Sequence, residues 1–307
     1  SPVVPSEPVL WMATRNADRA TLVPVGFIVG DSLAPLPTEE EVPGFRSVFA
    51  RERMPTGTRF VLFAGGVRVG TLLAREHFTD ESFCRPLPAA RGPVELVPGA
   101  VEVERFVALR ADGAEDVPHR PFTSWEDDRA QRNASVDIVG RTLNRIGARW
   151  PSSLPAARAD MRALRLDRAG PTPPGGPEAA RETGEVGTEP PEGPDAFAAT
   201  FLHEDVMGVR EAGEEAWALF VLGIERDGSY APGHVWYRAA ATDGRGVPRY
   251  FSHLDWDGDG RSELLLEVLG ERTRWTAALS LVDGEWRRVW QDPCGSPPPA
   301  SSDEDAG

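Results

Sequence analysis

Between residues 255 and 263 the chain reads Asp255-Trp256-Asp257-Gly258-Asp259-Gly260-Arg261-Ser262-Glu263, so a carboxylate falls at every second position of its first half. Calcium takes roughly six to eight hard oxygen ligands, and alternating carboxylates can wrap one ion where glycines let the backbone turn sharply. Numbering from Asp255, the expected ligands are Asp255, Asp257 and Asp259 at the first, third and fifth positions. The Arg261 carbonyl follows at the seventh and Glu263 at the ninth. The alternative is a solvated acidic turn that binds nothing.

The first half of this loop matches the EF-hand pattern and the second does not, because the twelfth position is Leu266 and the flanks are β-type. With the run Ser262-Glu263-Leu264-Leu265-Leu266 directly after the acids, the stretch of about 249–285 resembles the FG-GAP or VCBS-type repeat. In that family a D-x-D-G-D-G-x-x-[D/E]-L loop joins two strands. The resemblance implies structural calcium held by Asp255, Asp257, Asp259 and Glu263. The Phe-Gly and Gly-Ala-Pro signatures are absent and one intact copy is present, so a sandwich or an incomplete propeller-like sheet is expected rather than a closed propeller.

No other residues assemble into recognisable chemistry. The five histidines, His77, His119, His203, His234 and His253, form no H-E-x-x-H, and His203-Glu204-Asp205 lacks a second histidine at ligand spacing. His253 reads as a surface histidine near acids. No G-x-S-x-G elbow and no G-x-G-x-x-G after a strand occurs. The chain contains no lysine, which removes Schiff-base, pyridoxal-phosphate and Walker-type chemistry together. A non-enzyme is therefore expected. The rival is an extracellular hydrolase or carbohydrate-active protein with scattered carboxylates that sequence does not reveal.

Cys84 and Cys294 are the two cysteines, and neither has metal or redox spacing. They are either a disulfide closing a long loop or two buried thiols. Acidic residues number 48 against 33 basic ones, a formal charge of -15 that repels nucleic acid and anionic lipid. The chain opens on Ser1 and its first methionine is Met12, so a secretion signal is expected to have been removed, a trimmed chain or a lost lipidated cysteine being the alternatives. The longest apolar run, Ala216 to Ile224, is far too short to span a bilayer. A periplasmic or extracellular setting follows from these readings.

The elements that must position the acidic loop read as mainly β. Hairpins are expected around Asn16-Ala17-Asp18 and Ala64-Gly65-Gly66, with further strand-like runs at Val94 to Val97 and Val101 to Leu109. Together these predict an N-terminal antiparallel domain over 1–120. Residues 121–150 predict one amphipathic helix and its connector, with Ser124 as N-cap, acids in the first turn, Val136, Val139, Leu143 and Ile146 as the stripe, and Gly147 at the stop. A C-terminal β-meander or sandwich domain follows over 151–294, interrupted by a Pro/Gly/Glu-rich insertion at 169–195 and followed by an acidic low-complexity tail at 295–307. The whole predicts two antiparallel β domains with one helix between them. The expected role is a secreted or periplasmic binding or scaffolding protein with a protein partner, such as an accessory subunit on the outer face of a membrane complex, and no nucleic-acid partner.

Overall fold

The computed structural model describes residues 3–114, 121–166, 193–204, 206–207 and 215–295. The fold is mainly β, at 49% strand and 16% helix. Its first eight strands are β1 (Val9–Asn16), β2 (Arg19–Val29), β3 (Ser32–Ala34), β4 (Arg59–Ala64), β5 (Val67–Leu73), β6 (Glu76–Asp80), β7 (Leu87–Leu96) and β8 (Arg105–Arg110). They form one sheet in the order β3-β2-β1-β8-β4-β5-β7-β6, and an additional β2–β7 pairing, Arg19↔Pro93 to Leu22↔Ala90, closes six of them into a ring. A closed ring has no open edge along its six members, and β3 and β6 hang outside it.

The ring holds a core of its own. Trp11, Phe60, Leu62, Val69, Leu72 and Phe106 point inward, joined by Phe45 and Phe49 from helix α1 (Phe45–Arg53). This helix was not anticipated, although Phe45, Val48 and Phe49 have the i, i+3, i+4 spacing of a buried helical face.

Two four-stranded meanders follow. One comprises β9 (Arg158–Leu164), β10 (Ala196–His203), β11 (Trp217–Arg226) and β12 (Ser229–Ala239); the other comprises β13 (Val247–Leu254), β14 (Glu263–Leu269), β15 (Arg274–Val282) and β16 (Glu285–Gln291). Two-residue turns at Asp227-Gly228 and Asp283-Gly284 have both residues at positive φ, as does Gly65-Gly66, which suits the right-handed twist of the strands they join.

Because side chains alternate across a strand, each sheet contributes to two cores. Leu10, Met12, Phe63 and Val107 on the outer face of the ring pack with Phe251, Leu254, Trp256, Leu265 and Ala278. From the opposite face of that meander, Leu264, Leu266, Val268 and Leu279 pack with Ala196, Ala198, Phe220 and Leu222. The far side of the first meander is covered by helix α2 (Arg129–Ile146). The order is therefore ring, β13–β16 meander, β9–β12 meander, helix.

Helix α2 differs from expectation at its start. Asp128, not Ser124, is the N-cap: its side chain accepts from the Gln131 N–H while Gln131 reaches back to the Asp128 N–H, leaving Glu126 and Asp127 ahead of the helix. The stop at Gly147 is as read, with φ 70°. The buried stripe is Ile138, Val139 and Leu143, whereas Ile146 is 43% exposed. The expected insertion lies outside the described residues up to 192, and so does the tail from 296.

Cys84, in the β6–β7 connection, is bonded to Cys294 beyond β16, with their Cα atoms 5.7 Å apart and the two residues 210 positions apart in sequence. Beside the bond, Arg85 pairs with the buried Asp292. Replacing both cysteines by serine is expected to lower the unfolding free energy by about 5 kcal/mol, the chain-entropy value for so long a loop. Denaturant unfolding of the variant against the oxidised protein measures it.

Candidate metal centre

Strand β13 ends at Leu254 opposite Glu263, the first residue of β14, so residues 255–262 are the connection between paired strands. Trp256 is the anchor of this loop: it is 6% exposed and sits in the core shared with the ring. Gly258 and Gly260 take φ of 81° and 87°, the left-handed conformation that glycine adopts without penalty.

The loop's own amides orient its acids. Asp255 accepts from the N–H of Gly258 at 2.7 Å and from that of Gly260 at 2.9 Å, one on each carboxylate oxygen. Asp257 accepts from the Asp259 N–H at 3.1 Å, and Glu263 reaches back to the Trp256 N–H at 3.1 Å. As a result, one oxygen each of Asp255, Asp257 and Glu263 lie within 4.8 Å of one another. The five expected ligands are thus divided. Asp259 is not in this group, and its carboxylate accepts from the Arg261 N–H at 2.8 Å. For Arg261 that donation is what the structure defines.

Electrostatics set the group apart. Burial pushes the Glu263 carboxyl up to about 9, against the bond from Trp256, and the charges of Asp257, Asp255 and Asp259 add to the rise. Burial also raises Asp257, with Asp259, Asp255 and Asp31 contributing. Asp31 belongs to the β2–β3 turn of the ring, and its carboxylate lies 3.5 Å from the Ser280 hydroxyl. No local signal in the sequence couples a turn residue to a loop more than 200 positions away.

Glu267 provides the internal comparison. It lies on the same face of β14 as Glu263 and is equally buried, yet Arg249 and Arg274 hold its carboxylate at 2.5 and 2.8 Å. Among the described residues Glu263 forms no ion pair with any basic side chain. The donor set around it is oxygen only, which suits a hard cation such as calcium, and three carboxylates leave the remaining positions to carbonyls or water.

The other residues singled out from sequence lie elsewhere. His253 is buried, not on the surface: its ring bonds the Tyr250 hydroxyl at 2.8 Å and the Arg165 carbonyl at 3.1 Å, while its own carbonyl accepts from Gly66 at the tip of the β4–β5 hairpin. His203 stacks on Trp217 with ring centroids 5.4 Å apart. A second metal-capable group, Cys84, Asp292 and Cys294, has its sulfurs committed to the disulfide.

The two glutamates should respond unequally to replacement by glutamine. Glu267→Gln is expected to cost about 3 kcal/mol, because two arginines lose their buried partner. Glu263→Gln in chelator should cost little at neutral pH, because burial already holds that carboxyl in its neutral form and an amide oxygen can still accept from Trp256. Urea unfolding of both variants decides this. Comparison of the chain with protein-family models, with curated proteins and with solved structures finds no match.

Proposed function

We propose that this chain is a non-enzymatic binding or scaffolding protein of the periplasm or cell exterior, in which calcium held by Asp255, Asp257 and Glu263 fixes the β13–β16 meander against the ring. The observation that carries this reading is the buried Glu263, drawn together with two aspartates and given no basic partner among the described residues, where Glu267 on the same strand is given two. A cation from solution supplies the missing countercharge. A stapling role is supported by Trp256 within the loop and Asp31 beside it, which tie the same spot to the ring.

The setting outside the cytoplasm is supported by the Cys84–Cys294 bond, which persists in oxidising compartments. Among the described residues no helix is long and apolar enough to cross a membrane. Work on a membrane complex would therefore be as an accessory subunit docking from outside through these residues.

Thermal unfolding tests the calcium reading directly. Calcium at about one hundred times its dissociation constant adds about 2.7 kcal/mol to a state that alone binds it, which raises the melting temperature by several degrees over chelator. Asp257→Ala should abolish that increment while melting no lower than the unmodified protein in chelator. Identical melting in calcium and chelator would show instead that Glu263 is held by a shared proton. Chemical cross-linking in intact envelopes followed by purification tests the partner; recovery of a lone monomer would end the accessory-subunit reading.

A further inference from the structure

Where β12 meets β16, two arginines surround one tryptophan. The edge strands approach closely: the His234 ring bonds the Trp286 carbonyl at 3.1 Å, and Gly233 lies against the Trp286 ring, where an added Cβ would come within 3.1 Å. One step further along, Arg288 of β16 lies over the Trp236 ring at 4.1 Å from its centroid. Arg238 of β12, itself 4% exposed, sits 5.8 Å from the same ring and 5.6 Å from that of Trp275.

Arg288 is the exception among the arginines nearby. Arg287 pairs with Glu285 at 2.9 Å, Arg274 and Arg249 with Glu267, and Arg238 donates to the Asp243 carbonyl at 2.6 Å. Among the described residues the Arg288 side chain forms no ion pair or hydrogen bond, and its Nε is buried with no acceptor. Burial and the neighbouring Arg238 lower its affinity for its own proton, to a pKa of about 10, with Asp243 opposing. Although β12 lies against this edge, Arg288 is only half-buried, so part of its side chain remains open to solvent.

We infer that this corner is a binding site for a carboxylate ligand, with Arg288 as the charged anchor and Trp236 as the platform that holds it. A guanidinium stacked on an indole keeps a planar N–H fork available, and a carboxylate offers two oxygens at the matching spacing. The corner is cationic on a molecule of net charge -15, so an acidic ligand drawn here is selected locally against long-range repulsion. Nothing in this assignment depends on calcium.

The test is titration of the full chain with a tetraglutamate peptide at low ionic strength and in chelator, followed by calorimetry and tryptophan fluorescence. Saturable binding is expected. Arg288→Gln should weaken it about tenfold, the loss of one charged hydrogen-bonding group, and Arg288→Lys should weaken it too because the fork is lost. Arg287→Gln, which removes the same charge one residue away, should leave it within about twofold. Circular dichroism melts of Arg288→Gln matching the unmodified protein establish that the fold is kept. Absence of saturable binding, equal weakening by Arg287→Gln and Arg288→Gln, or binding of inorganic phosphate without the peptide would each overturn the assignment.

Discussion

Strand β14 is covered by the ring on one side and by the β9–β12 meander on the other, and that double coverage governs what its residues must be. Leu264, Leu265, Leu266 and Val268 are fully buried although they alternate between two faces. A strand with one wet face would alternate apolar with polar; one buried twice reads as an unbroken apolar run. A carboxylate placed in such a strand loses its hydration and must be compensated locally. Glu267 is compensated by Arg249 and Arg274 within the chain. Glu263 is not, and the chemistry of the acidic loop follows from that difference.

The same coverage explains why the loop is ordered around its acids. Trp256 inserts into the shared core, the glycines turn the backbone, and successive amides point back at the carboxylates. Like charges are thereby gathered by packing and hydrogen bonds, which have to outweigh their repulsion. Asp259, directed to the Arg261 amide, is the acid that the geometry leaves aside.

Much of the fold could be read locally. Ala64-Gly65-Gly66 announced its hairpin because a two-residue turn needs positive φ, which these residues tolerate, and Asp227-Gly228 and Asp283-Gly284 turn by the same rule. The body of helix α2 showed in its period and its end in Gly147; its start did not, because Ser124 and Asp128 are both good caps and only the reciprocal Gln131 bond distinguishes them. The Asp255, Asp257 and Glu263 grouping was legible from spacing within one connection. The closure of the ring was not, since β2 and β7 are 70 residues apart and pairing leaves no mark on either strand alone. The burial of His253 and the proximity of Asp31 were hidden for the same reason: both depend on which layer is laid over which.

That layering also ties the first strands of the chain to the last. The outer face of the ring, with Leu10, Met12, Val23, Val25, Phe63 and Val107, is made early and is covered by residues from 251 to 290. During synthesis an apolar surface therefore stands open while about half the protein is still to be added, the circumstance in which nascent chains aggregate or recruit chaperones. Cys84 waits through the same interval for Cys294. The bond can close only once β16 has been made and laid against the strands that precede it.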